Sequence, residues 1–294
     1  MNNVQAYELN FVHADPEAIC GIMGKKYTSV STLLSMVLGL LFTALFYGIL
    51  WPLHQAHRYM MVDMFFHGGV ENRSTIPYYT MFLTWWCLAF LFLKWLKLRT
   101  QRKALGVQIV PNMPDFSVSR LNAQQIIANI HARVFMSERF MVLWRIECAL
   151  SNLNNIGKAS EISSLMKDLS DNDRDFVESS YTLPKGLIWA IPVLGFIGTV
   201  LGLSQAVGGF GSVVASGADL ETLKTSLGGV TSGLGTAFET TLIALVAALC
   251  VQLLMTLLSQ REEEFLDACA DFCYKNVTSR LTMVDVAEGV VDNN

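Results

Sequence analysis

Charge is what this sequence has least of. Asp, Glu, Lys and Arg make up 16% of its 294 residues, against about 25% in soluble globular chains. With 52% apolar residues, too little polar surface remains to coat a water-facing sphere. That excludes a disordered chain and an ordinary cytosolic enzyme. A net charge of −4 carries no basic excess, so nucleic acid is not an expected partner. Six cysteines (Cys20, Cys87, Cys148, Cys250, Cys269 and Cys273) fall in apolar runs or on the side assigned below to the cytoplasm. None lies in an outer segment, which excludes a disulfide scaffold. Cys269 and Cys273 stand four apart on an expected helix with no His beside them, so neither a metal nor any other cofactor is expected. GxxxxGK[ST], HExxH and the nucleophile elbow are all missing, and the chain is not expected to be an enzyme.

What is present is apolar sequence in four long runs. Tyr27 to His57, Ser74 to Leu93 and Gly186 to Ala218 contain no Asp, Glu, Lys or Arg, and Thr225 to Gln260 contains only Glu239. A bilayer core of about 30 Å needs roughly 20 helical residues, and each run supplies them. The expected fold class is an all-α integral membrane protein with four transmembrane helices, at about 30–52, 75–95, 186–207 and 234–260. The first run is too long for the apolar core of a cleavable signal peptide. Segment 1–27 is an N-terminal segment, 28–93 a transmembrane hairpin and 94–185 a helical domain between the second and third spans. Segment 186–260 is a second helix pair, and 261–294 a C-terminal helix and tail.

Orientation follows from the basic residues. Lys25 and Lys26 precede the first span, Lys94, Lys97, Arg99, Arg102 and Lys103 follow the second, Lys185 precedes the third and Arg261 follows the fourth. The loops within each pair hold only Arg58, Arg73 and Lys224. Positive residues stay on the cytoplasmic side, so both termini and 94–185 are expected inside, with 53–75 and 208–230 outside.

The middle segment reads as helical. Leu121, Ile126, Ile127, Ile130, Val134, Met141, Trp144 and Cys148 recur mostly at spacings of three, four and seven, an amphipathic pattern. Pro111 and Pro114 mark a break before it, and Asn152 to Gly157 a break after it. A further helix is expected to start near Ser160 and end near Asp171-Asn172-Asp173. Asp171, Asp173 and Asp175 start like a calcium loop but lack its Gly and Glu, so they read as a solvated acidic turn.

Polar residues inside the last two runs are where chemistry can reside. In the third, Pro192, Gly195, Gly198 and Gly202 read as helix-packing positions, since small residues let two backbones approach. Thr199 lies among them; in a span its hydroxyl either bonds back to its own helix or faces something polar. In the fourth, Glu239 is the one charged residue, and an intramembrane carboxylate is costly enough to suggest a role. It stands 22 residues before Arg261, about 33 Å at roughly 1.5 Å per residue, so the outer interface also suits it. Glu239, with Thr236 and Thr240, is a second candidate for an ion pathway or a subunit interface. At about 100° per residue, Glu239 and Thr241 point to nearly opposite sides of a helix.

The spelling P-x-L-G-x-x-G-T-V-L-G over Pro192–Gly202, followed on the next span by A-F-x-x-T-x-x-A-L over Ala237–Leu245, resembles the MotA/TolQ/ExbB proton-channel family. The resemblance covers Leu187 to Gln260. The four-span layout is similar to the flagellar stator branch, while the motif spelling is closer to TolQ and ExbB. It implies a homopentamer around two copies of a single-span MotB/TolR/ExbD-like partner whose aspartate carries the ion, in the lipid of the bacterial inner membrane. It also implies that Thr199 and Thr241 line the ion pathway. The ion implied is H+, with Na+ the alternative. No Asp lies in any of the four spans, as suits the subunit without the acid. Two other classes fit the sequence: a non-conducting scaffold or receptor subunit, and a small solute transporter using Glu239.

Overall fold

The computed structural model describes residues 7–19, 21, 26–56, 60–66, 75–110, 116–153, 159–217 and 219–281. The proline break at Pro111 and Pro114, Cys20, Lys25, Arg58, Arg73, most of the 152–157 break and the tail beyond 281 lie outside them. Ten helices among the described residues are α1 (Phe11–Ala14), α2 (Pro16–Ile19), α3 (Thr32–Gln55), α4 (Met60–Asp63), α5 (Ile76–Lys103), α6 (Arg120–Arg133), α7 (Met141–Asn152), α8 (Ala159–Ser180), α9 (Thr182–Ala215) and α10 (Leu220–Asn276). Two-residue strands β1 (Leu9–Asn10) and β2 (Val134–Phe135) pair in parallel. Four helical stretches are long and apolar enough to cross a membrane: Thr32–Gln55, Ile76–Gly106, Glu161–Ala215 and Leu220–Arg280. The chain is therefore the all-α membrane protein that its composition implied.

The chain divides into two compact units. The apolar one comprises Val30–Leu93 and Tyr181–Ser259. In it α3 meets α5 where a Cβ on Gly39 would lie 2.5 Å from Trp86 Cα, and the Trp86 indole N–H donates to Ser35 Oγ at 3.2 Å. Val30, Phe90 and Leu93 form one small core, with Leu34, Leu38 and Leu183 against it. Ile191, Ala244 and Ala248 form another. Much of the remaining apolar surface faces outward, including Leu33, Leu41 and Ile49 on α3 and Trp189 and Phe196 on α9. Water would penalise such a surface and hydrocarbon does not. Residues 208–230, expected as an outer loop, are helical except at a tight turn around Gly217, whose φ of +64° suits a residue without Cβ.

The second unit comprises Met1–Ser29, Lys94–Ser180 and Gln260–Asn294. Its centre is α7, where Met141, Val142, Leu143, Arg145, Ile146, Ala149 and Leu150 are buried. The amphipathic pattern expected to run unbroken from Leu121 to Cys148 is interrupted. Helix α6 ends at Arg133, Val134 and Phe135 pair with β1, and Met136 adopts a left-handed φ of 59°. The break resets the helical phase. Ile126, Ile130, Val134 and Met141 are buried as the pattern requires, but Trp144 is 38% exposed while Leu143 and Ile146 face inward.

The acidic turn expected at Asp171–Asp173 is also absent, because α8 continues through it to Ser180. Asp173 is only partly exposed, and its Oδ2 accepts from Nε and Nη2 of the buried Arg145 at 3.1 and 2.6 Å. That ion pair supplies the tertiary contact that a polar sequence alone does not reveal. Among the basic residues after the second apolar run, Lys94 and Lys97 turn into this unit and are buried. Arg99 lies over the Trp95 ring at 4.2 Å, and Arg102 donates to Arg261 O at 2.7 Å.

Removing one partner of a buried pair leaves a charge uncompensated, at a cost of about 3–5 kcal/mol. Asp173→Ala should therefore destabilise the chain by about that amount in denaturant titrations. Arg145→Leu combined with Asp173→Leu should recover most of the loss. A single variant with unchanged stability would show that the pair contributes nothing.

Candidate functional site

Helices α9 and α10 approach through small residues placed opposite one another. A Cβ on Gly195 would lie 2.5 Å from Ala244 Cβ, one on Gly198 2.5 Å from Thr240 Oγ1, and one on Gly202 2.9 Å from Ala237 Cβ. On α10, a Cβ on Gly233 would lie 2.9 Å from Ala206 Cβ. Going up α9 by 195, 198, 202 and 206 therefore comes down α10 by 244, 240, 237 and 233, an antiparallel zipper. Its α10 half was readable in the sequence as small residues spaced four, three and four apart, yet only the α9 glycines stood out. Pro192 lies within α9, where it removes one backbone donor from the helix ladder.

Thr199 and Thr241 meet where this zipper is tightest. Their hydroxyl oxygens are in direct hydrogen-bond contact. Thr199 Oγ1 is 3.3 Å from Gly195 O on its own helix and 3.2 Å from Ala237 O across the pair. Thr241 Oγ1 donates across the pair to Gly195 O at 2.9 Å. The two readings of Thr199, back-bonded or facing a polar group, are thus both realised. A glycine at 195 leaves its carbonyl reachable from α10, since a larger side chain there would collide with Ala244.

Counting hydrogens shows what the cluster can do. Two hydroxyls bring two protons to four acceptor oxygens, their own and the carbonyls of Gly195 and Ala237. When one hydroxyl donates to the other and that one to a carbonyl, acceptor capacity is left over. The cluster can therefore receive a proton donor such as a carboxylic acid. By rotating a hydroxyl it can equally donate to a carboxylate. Both threonines are half-buried rather than sealed, and no fixed charge sits among the atoms they touch.

The other sequence candidates fall differently. Thr240 is 2% exposed and its hydroxyl donates to Ala237 O at 2.8 Å, so it fills the groove beneath Gly198. Thr236 is buried and bonds back to Ser232 O at 3.2 Å. Glu239 is half-buried on α10 and is not among the partners of the threonine pair. Among the described residues no group of three or more His, Cys, Asp or Glu side chains is placed to hold a metal. Cys269 and Cys273 are buried in the second unit, where burial pushes both thiols up.

Four bilayer-length helices and a paired-hydroxyl contact inside an apolar helix pair define a multi-pass membrane protein with a polar site in its spans. Residues 145–270 match the model of the MotA/TolQ/ExbB proton channel family. Over that stretch, which is less than half of the chain, the sequence is similar to this family of proton channels. The match begins at Arg145 on α7 and ends in the C-terminal half of α10, so it extends well beyond the two motifs on both sides. No curated protein and no solved structure matches the chain.

Overpacking a tight contact costs about 1–3 kcal/mol. Gly198→Ala should lower the chain's stability by about that much, measured by unfolding in denaturing detergent. Thr240→Gly in the same chain should restore most of it, because the atom struck has gone. Strictly additive losses in the double variant would mean that the two positions do not touch.

Proposed function

We propose that this chain is the subunit without the carrier aspartate in an inner-membrane proton channel that converts ion-motive force into mechanical work, through rotation. The observation that carries the reading is the Thr199–Thr241 contact in a helix pair whose apolar runs contain no Asp. The threonine pair offers hydroxyls and has no carboxyl among its partners, so a proton carrier at that point comes from another chain. A homopentamer around two copies of a single-span MotB/TolR/ExbD-like partner, each bearing an essential aspartate, meets that requirement. Thr199 and Thr241 then line the ion pathway, and the helix-packing glycines hold it open to the partner. In this reading the second unit and both termini are cytoplasmic, and the chain is a channel subunit rather than an enzyme.

The chemistry favours hydroxyls for a physical reason. A fixed cation beside the partner's aspartate would hold it ionised, and an apolar wall would hold it protonated. A hydroxyl bonds either form, so the acid can load on one side and discharge on the other. Each charge that crosses releases about 2.3 kcal/mol per 100 mV, and successive transfers can turn the partner within the ring.

A hydrogen bond to a charged group is worth about 1.5–3 kcal/mol, which corresponds to about ten- to hundredfold in rate. Thr199→Val and Thr241→Val should each lower proton flux through the assembled complex by that factor, with assembly unchanged, while Thr→Ser at either site should retain it. Full flux in the valine variants would sink the assignment.

A further inference from the structure

Outside the membrane pair, the most unusual chemistry is a group of buried charges in the second unit. Lys94 and Lys97 are 0% and 1% exposed. Lys97 Nζ donates to Glu17 Oε2 at 2.6 Å and to Ser29 O at 2.7 Å. Lys94 Nζ lies 3.1 Å from Glu262 Oε2 and donates to Ser180 Oγ at 2.6 Å. The two lysines therefore fasten the N-terminal segment to α5, and α5 to the C-terminal part of α10. Further contacts hold the N-terminal segment down. Phe11 is buried edge-on against Phe140 with ring centroids 5.5 Å apart, and β1 pairs with β2.

Asp15 does not fit the charge balance of this group. Lys94 and Lys97 are matched by Glu17 and Glu262, two buried cations against two buried anions. Asp15 is a fifth buried ionisable group, at 0% exposure. Its Oδ1 accepts the Glu17 N–H at 3.2 Å, while its Oδ2 is buried without a hydrogen-bond partner. Lys97 Nζ is 3.8 Å from that oxygen, beyond hydrogen-bond range and already engaged by Glu17. The remaining groups whose charge reaches Asp15 are Glu17, which repels an anion there, and Arg139, which attracts one more weakly. An ionised carboxylate with a bare buried oxygen costs far more than a protonated one, whose neutral hydroxyl loses less solvation.

We propose that Asp15 is a proton-binding site: it carries its proton on Oδ2 when the N-terminal segment is fastened, and loss of that proton loosens the segment. Burial pushes the Asp15 carboxyl above its ordinary range, with Lys97 pulling the other way. The fastened state thus binds the proton more tightly than the released one. Fastening is strongest at low pH and weakens as pH rises from the ordinary carboxylate value through the raised one. This site is independent of the threonine pair, and it makes the seating of the N-terminal segment respond to the pH of the compartment that bathes it.

Hydrogen exchange on the full chain in lipid nanodiscs tests this, following amides of residues 9–18 with those of α7 as an internal reference. In the wild type, protection of 9–18 relative to α7 should fall with rising pH by up to about tenfold per unit, the limit for one proton. Asp15→Asn keeps the Oδ1 acceptor and mimics the protonated acid, so its protection should be high and flat with pH. Asp15→Ser should flatten the slope as well and serves if the Asn variant does not fold. A flat wild-type profile would overturn the proposal, as would a wild-type slope in the Asn variant or protection lost from it at every pH.

Discussion

Four small residues on each helix, Gly195, Gly198, Gly202 and Ala206 against Ala244, Thr240, Ala237 and Gly233, hold α9 and α10 at a distance that no ordinary side chain would permit. Lipid gives two apolar helices no hydrophobic reason to associate, so close packing and interhelical hydrogen bonds must do it. The same approach brings the Thr241 hydroxyl to the Gly195 carbonyl and the Thr199 hydroxyl to the Ala237 carbonyl. Packing and chemistry are thus one feature. A helix pair wider by one methyl group would lose the cross-helix bonds along with the contact.

This explains how the polar atoms of the threonine pair sit inside a largely apolar helix pair. Each hydroxyl has its hydrogen bonds within the pair, so the chain can rest in the membrane with the site satisfied. No charged group is among the atoms the two hydroxyls touch, so under the proposed function a partner's acid would be free to change protonation state. The scarcity of charged residues across the chain therefore goes beyond solubility in lipid. Under the proposed function, it would also leave the field near the hydroxyls weak enough for an incoming carboxyl to dominate it.

Legibility in the sequence followed the kind of interaction involved. The four apolar runs reported the membrane helices because burial in lipid acts on composition alone. The P-x-L-G-x-x-G-T-V-L-G spelling reported the α9 half of the contact, since glycines recurring at helical spacing have few other uses. The second unit was less readable because pairing between distant residues shapes it. Arg145 and Asp173 are separated by a break and a helix start, and nothing local marks them as partners. The interruption at Val134–Phe140 was hidden because apolar residues on both sides of it kept helical spacing. Lys94 and Lys97 served in the sequence only as basic markers of orientation, yet they are buried with partners at Glu262 and Glu17, far along the chain.

The account rests on one claim, that this chain provides the hydroxyl wall of a proton pathway and not its carrier. The most direct measurement is proton flux into liposomes containing the purified chain, alone and co-reconstituted with a single-span partner bearing a membrane aspartate. The chain alone should be proton-tight, and flux should appear with the partner and vanish when the partner's aspartate is replaced by asparagine. Proton flux through the chain alone would contradict the account.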